Sequence, residues 1–150
     1  MSDTIRLAID GPVATITLSR PEKRNALEVA DLTAFAAALG EAHAAPDLRV
    51  LVVTGAGEKA FCSGVSLGDV AGAGDWGDNP LTALCDGLEQ FPWPTICALN
   101  GGAYGGGAEI ALACDFRIGV EGMACFIPPA KLGIHYDAAG IDRIMRRLGA

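Results

Sequence analysis

The chain has 150 residues, 51% of them hydrophobic and 19% charged, with a formal net charge of −7. That length and composition suit one globular domain with a real core and exclude a disordered chain. The acidic balance argues against a nucleic-acid surface, which needs basic patches, and no apolar run approaches the roughly 20 residues needed to span a bilayer. Met1-Ser2-Asp3-Thr4 has neither the basic start nor the apolar stretch of a secretion signal. The five cysteines, Cys62, Cys85, Cys97, Cys114 and Cys125, form no CxxC pair, and most sit in apolar runs where a cysteine acts as a small hydrophobe. The expectation is a reducing, cytoplasmic setting. His43 and His135 stand far apart without ligand spacing, so no metal site is expected.

Ile5, Leu7 and Ile9 alternate with polar or small residues, Gly11-Pro12 breaks the run, and Ala14, Ile16 and Leu18 alternate again, which predicts a β-hairpin. Pro21 to Asn25 reads as a polar loop, with Asn25 as the N-cap of a helix from about Leu27 to His43 whose apolar face is Leu32, Phe35 and Leu39. The continuous apolar run Val50 to Thr54 suits a strand covered on both faces. Gly55-Ala56-Gly57-Glu58-Lys59-Ala60 follows it and fits the loose dinucleotide pattern GxGxxG/A. A nucleotide-binding turn opens straight into an amphipathic helix and has an acid about 20 residues on. Phe61-Cys62-Ser63-Gly64 comes next instead, then a glycine-rich stretch, so that reading is set aside.

Ala71 to Asn79 has no periodicity and is expected to be a surface loop. Pro80 suits the first position of a helix to about Gln90, with Leu81, Leu84 and Leu88 inward, and Phe91-Pro92-Trp93-Pro94 ends it. A strand from Thr95 to Leu99 leads into Asn100-Gly101-Gly102-Ala103-Tyr104-Gly105-Gly106-Gly107-Ala108-Glu109 and a helix-compatible run, Ile110 to Ala113. Strand, glycine turn and helix start place free backbone N–H groups where a ligand can approach, with a carboxylate in the first turn. Such a site holds a developing oxyanion and moves a proton beside it, whereas the plain alternative is a tight turn with Glu109 favoured by the helix dipole. Asp115 to Val120 reads as another strand. Ala138 to Leu148 reads as a helix, with Arg143, Arg146 and Arg147 near its end, where cations suit the dipole. The order strand, glycine turn, helix therefore occurs twice, over Val50 to Asp69 and Thr95 to Ala113, within an α/β arrangement.

Taken in order, Pro21-Glu22-Lys23-Arg24-Asn25-Ala26-Leu27, Ala60-Phe61-Cys62-Ser63-Gly64, Pro94 to Gly101, Gly105-Gly106-Gly107-Ala108-Glu109 and Cys114-Asp115 resemble the enoyl-CoA hydratase/isomerase (crotonase) family. The resemblance covers most of the chain. It implies a crotonase-like spiral of repeated ββα units. Residues 1–150 would form its N-terminal catalytic core, without the C-terminal helices that build trimers or hexamers in full-length members. It also implies an acyl-CoA thioester as substrate, with coenzyme A as part of that substrate and no separate cofactor. By position, the N–H groups of Val65 and Gly106 would hold the thioester oxygen, and Glu109 would be the acid/base. Arg24, Ala26, Ser63, Val65, Ser66, Leu67, Gly68 and Gly106 would line the substrate path.

Two departures bear on the reaction. The family's second glutamate, four residues before the Leu-Gly glycine, is Pro129 here, and the usual aspartate after Ala-Gly-x is Ser66. One carboxylate suffices for double-bond isomerisation, and hydration would need a substitute acid, with Asp137, Asp69, Asp75 and Asp78 as candidates. The segment Pro128 to Tyr136 is similar to the methylmalonyl-CoA decarboxylase branch, which carries a tyrosine at the position of Tyr136, although a histidine stands there where this chain has Val65. Tyr136 is thus either catalytic or a half-buried core aromatic. A catalytically weak coenzyme A-binding or assembly subunit is the reading of a different class.

Overall fold

The computed structural model describes residues 3–66, 79–128, 131, 133 and 135–149. Strands β1 (Ile5–Asp10) and β2 (Val13–Leu18) form the predicted antiparallel hairpin, and Ala14, Ile16 and Leu18 point into the core. Beyond β2 the strands run parallel. β3 (Val50–Gly55), β5 (Thr95–Leu99) and β7 (Phe116–Gly119) complete a five-stranded sheet in the order β1-β2-β3-β5-β7. A second parallel sheet holds three short strands, β4 (Ala60–Cys62), β6 (Gly102–Tyr104) and β8 (Cys125–Phe126), in the order β4-β6-β8.

Helix α1 (Val29–His43) follows the hairpin, α2 (Pro80–Glu89) follows β4, α3 (Gly106–Ala113) follows β6 and α4 (Ala138–Leu148) follows β8. Each later turn of the chain thus adds one strand to the large sheet, one to the small sheet, and then a helix. This is the spiral of ββα units, with three such turns where the sequence pattern displayed two. The repeat places the residues after β4 beside those after β6, because the two strands are neighbours in one sheet.

The core lies between the large sheet and the helices. Phe35 and Leu32 of α1, Leu51 and Val53 of β3, Leu84 and Leu88 of α2 and Ile110 of α3 are all buried in it. Four of the five cysteines are buried, and Cys125 is exposed. On the other side of the molecule all four residues of β7 are exposed, with Phe116 at 58% and Ile118 at 66%.

Asn25 does not cap α1. The helix starts at Val29, and its cap is Glu28, whose side chain accepts from the Asp31 backbone while its own N–H donates to Asp31 Oδ2 at 2.9 Å. Asn25 is instead fully buried in a left-handed conformation (φ 55°). Its Oδ1 accepts from Arg20 N–H at 3.0 Å, and its Nδ2 donates to Ala56 O at 3.0 Å and Ala60 O at 2.9 Å. Asn100 reaches the same loop, accepting from Gly55 N–H at 3.0 Å and donating to Gly57 O at 2.7 Å. The two amides satisfy main-chain groups that no strand ladder reaches, a need that outranks capping an exposed helix start. A Cβ on Gly55 would stand 2.8 Å from both amide side chains, which accounts for the first glycine of the dinucleotide-like pattern without a nucleotide.

Candidate active site

One half of the site is main chain. Residues 24–27 and 63–66 run side by side through a parallel bridge between Leu27 and Val65. Leu27 N–H donates to Gly64 O at 2.9 Å, Ser66 N–H to Leu27 O at 2.8 Å, and Ser63 N–H to Arg24 O at 3.0 Å. This pairing gathers Arg24, Ala26, Ser63, Val65 and Ser66 into one strip, with Arg24 exposed. Leu67 and Gly68, together with Asp69, Asp75, Asp78 and Pro129, lie outside the described residues.

Gly64 has a φ of +106°, and a Cβ there would come within 3.0 Å of Tyr104 O. Only glycine fits that combination without strain. The close approach sets the Val65 amide against the start of α3. A Cβ on Gly64 would stand 3.6 Å from Gly106 N, and one on Gly106 would stand 3.6 Å from Val65 N. Gly106 opens its helix, so its N–H has no intrahelical acceptor. Among the described residues neither the Val65 nor the Gly106 N–H donates a hydrogen bond. Two neighbouring free donors at a helix N-terminus suit an oxygen that gains negative charge.

The other half is side chain. Glu109 sits in the first turn of α3 at 3% exposure. Its Oε2 accepts a hydrogen bond from the Tyr136 hydroxyl, and its Oε1 accepts from Arg143 Nη1 at 2.6 Å. Arg143 is 1% exposed, and its Nη2 donates to Asp86 Oδ1 at 2.6 Å. Its Nε lies 3.3 Å from Glu89 Oε1, an ion-pair distance that misses the line of a hydrogen bond and leaves both atoms buried without one. Arg143 is therefore no helix-end cation. It points inward because three carboxylates on α2 and α3 converge there, and a buried charge needs a counter-charge more than a helix dipole needs a cation.

Gly140 completes this half. A Cβ there would fall 2.5 Å from Tyr136 Cε1 and 3.1 Å from Glu109 Oε1, so α4 closes on the pair only through a glycine. Asp137, one of the candidate substitute acids, is tied to α2, accepting from Thr82 Oγ1 at 2.8 Å. Gly140, Asp86 and Glu89 escape sequence reasoning. The available signal was the spacing of Gly140 and Arg143, three residues apart and hence on one helix face.

Electrostatics separates the two partners of the Tyr136–Glu109 hydrogen bond. Burial pushes the Glu109 carboxyl up, the Asp137 charge adds to this, and the Tyr136 hydrogen bond and Arg143 pull it partly back, leaving it raised. Burial, and next the hydrogen bond to Glu109, push the Tyr136 phenol up, so it stays protonated. The pair is a base of raised proton affinity with a neutral O–H resting on it, a disposition suited to proton transfer.

Among the described residues no group of three or more His, Cys, Asp or Glu could hold a metal ion, and no helix is long and apolar enough to cross a membrane. A family model described as Enoyl-CoA hydratase/isomerase matches residues 8–150. A carnitinyl-CoA dehydratase of Salmonella arizonae is 41% identical over 157 residues, covering 99% of this chain and 58% of the relative. One from Salmonella enteritidis is 38% identical over 153 residues, with the same coverage. The crystal structure of an enoyl-CoA hydratase from Bacillus anthracis superposes with a TM-score of 0.88 at 35% identity, over 99% of this chain and 59% of that one. The chain thus spans 58% of the length of these curated relatives.

Proposed function

The chain belongs to the enoyl-CoA hydratase/isomerase family, and on that premise we propose that it processes acyl-CoA thioesters through an enolate held by the Val65 and Gly106 N–H groups, with Glu109 as acid/base. The observation that carries this reading is the pairing of two unused backbone donors with one buried carboxylate of raised proton affinity. Glu109 would take a proton from the carbon next to the thioester, the electron pair would move onto the thioester oxygen, and the two N–H groups would stabilise that oxygen. Fixed donors of this kind contribute about 3 kcal/mol each to a transition state.

The proton on Glu109 then has two destinations. Returned to a carbon further along the chain, it completes a double-bond shift. Delivered to a 3-hydroxyl, it lets that group leave as water, the kind of elimination named by the carnitinyl-CoA dehydratases among the relatives. Pro129 supplies no second acid, and the Tyr136 hydroxyl on Glu109 is the proton-bearing group nearest to hand. Tyr136 also favours one other reading, decarboxylation. There the same oxyanion donors would hold the enolate left by departing carbon dioxide, and the tyrosine would orient the carboxylate and protonate the carbon.

The test is a mass-resolved product assay with crotonyl-CoA, a 3-enoyl-CoA, a 3-hydroxyacyl-CoA and methylmalonyl-CoA, run beside Glu109→Gln and Tyr136→Phe. Added or lost water, or a moved double bond, abolished by Glu109→Gln, is the result expected. Carbon dioxide release that survives Glu109→Gln and needs Tyr136 would replace it with the decarboxylase reading. Binding of acyl-CoA without turnover of any of the four would leave a coenzyme A-binding subunit.

A further inference from the structure

We propose that Arg143 is a positioning residue for Glu109, a counter-ion shared with Asp86 and Glu89 that fixes the carboxylate in place and lets it alternate between charged and neutral without stranding a buried charge. The inference rests on the reading of Glu109 as the acid/base and adds the group that makes its cycling possible.

The geometry is asymmetric in charge. One guanidinium, 1% exposed, faces three carboxylates: Glu109 at 2.6 Å, Asp86 at 2.6 Å and Glu89 at 3.3 Å. When Glu109 is ionised, Arg143 offsets a charge that sits almost out of water. When Glu109 has taken a proton, Arg143 still faces Asp86 and Glu89, so its own charge remains compensated. A simple Arg–Glu pair lacks this property, since neutralising one partner leaves the other buried and alone. The planar fork serves the purpose because Nη1 and Nη2 donate to two different carboxylates while Nε lies within ion-pair distance of the third. Arg146 in turn lies 3.5 Å from Glu89 Oε2 and 2.8 Å from Asp142, which holds the far end of the cluster at the surface.

The groups around Glu109 are few. From α2 come Cys85, Asp86 and Glu89, and the Cys85 thiol is pushed well up by burial and stays neutral. The segment before α4 brings Tyr136 and Asp137, and α4 brings Arg143. From the strands packed on α3 come the Cys62 thiol, pushed up to about 12 by burial, and the Tyr104 phenol, and the end of α3 itself carries the Cys114 thiol. Arg143 is thus the one cation in contact with Glu109 among the described residues.

The experiment reads the proton on Glu109 directly. The full-length native protein is labelled with carbon-13 at glutamate carboxyls, Glu109 is assigned by its disappearance in Glu109→Gln, and its midpoint is followed against pH. Arg143→Gln should raise the midpoint by about 1–3 units, the range for loss of an adjacent opposite charge. Glu89→Gln and Asp86→Asn each remove a competitor for Arg143 and a nearby negative charge, so the midpoint should fall. Arg143→Lys keeps the charge without the fork and should land between wild type and Arg143→Gln. Arg143→Gln removes a cation from a buried cluster and can unfold the chain, so Glu89→Gln and Asp86→Asn carry the test on their own. Midpoints that stay at the wild-type value in both would reduce Arg143 to a structural bridge and overturn the inference. Shifted midpoints in a protein that turns over no acyl-CoA would uphold the inference and reject the acyl-CoA reading.

Discussion

Around Gly64, Val65 and Gly106 the candidate site is made of main chain, held by a bridge and a glycine contact between two neighbouring turns of the spiral. Around Glu109, Tyr136 and Arg143 it is made of side chains that arrive from α3, from the segment before α4 and from α4 itself. The first half depends on where Cβ atoms are missing. The second depends on how charges are balanced out of water. A change of side chain therefore threatens the second half, while an added methyl threatens the first. pH reports on the second alone, because amide N–H groups do not titrate.

The largest effect expected is from Glu109→Gln, which keeps the shape of the side-chain half and removes its proton transfer. Turnover of the acyl-CoA that the wild type accepts should drop by about 10²–10⁴-fold, the usual worth of general acid–base catalysis, in a steady-state assay. Acyl-CoA binding, followed by calorimetry, should change little. Equal loss of binding and turnover would mean that the two halves are not separable.

Gly64→Ala attacks the main-chain half instead. Its methyl would sit 3.0 Å from Tyr104 O at a φ of +106°, so the Val65 amide must shift. The fall in kcat should approach, without exceeding, the about 10²–10³ of a lost oxyanion donor. The pH at which activity disappears should stay where it is in the wild type. A displaced pH profile in Gly64→Ala would break the comparison.

Asn25→Ala sharpens it from behind. That buried amide holds Ala56 O, Ala60 O and Arg20 N–H. Removing it leaves Ala56 O and Arg20 N–H without that partner, while Ala60 O keeps Asn100 Nδ2, and should destabilise the fold by about 1–3 kcal/mol in denaturant titration. The protein that remains folded should keep the wild-type pH profile.

Tyr136→Phe is the mildest of the four and the most specific to the side-chain half. The phenol's hydrogen bond lowers the proton affinity of Glu109, so its removal must raise the carboxyl further. A base works only when ionised. The acid limb of kcat/KM should therefore move to higher pH, by about one unit for a bond worth about 1.4 kcal/mol to the charged form. An acid limb moving down would show that Tyr136 stabilises the protonated carboxyl instead.

The ordered motifs between Pro21 and Asp115 carried the fold family, because they are the residues that the spiral's tight turns require of the backbone. The hairpin, α2 and the strands β3 and β5 were also legible, since each is set by a local hydrophobic period or a proline. Where sequence reasoning went astray, a tertiary demand had overruled a local one. Asn25 looked like a cap and serves a distant loop. α4 is the sharpest case. Its apolar residues Ile141, Met145 and Leu148 are exposed at 48%, 47% and 69%, while Gly140 and Arg143 face inward. Arg143, expected as a helix-end cation, is buried against three carboxylates instead.

What the sequence by itself determined is thus the part of this protein governed by short-range rules. These are the alternation of strands, the glycines at turns and a carboxylate in the first turn of α3. What only the tertiary structure decided is the company that carboxylate keeps. Tyr136 lies 27 residues from Glu109, Arg143 lies 34 from Glu109 and Asp86 lies 57 from Arg143. No local propensity encodes such separations. They follow from the fold, which brings α2, α3 and α4 together around one buried carboxylate whose charge needs compensation.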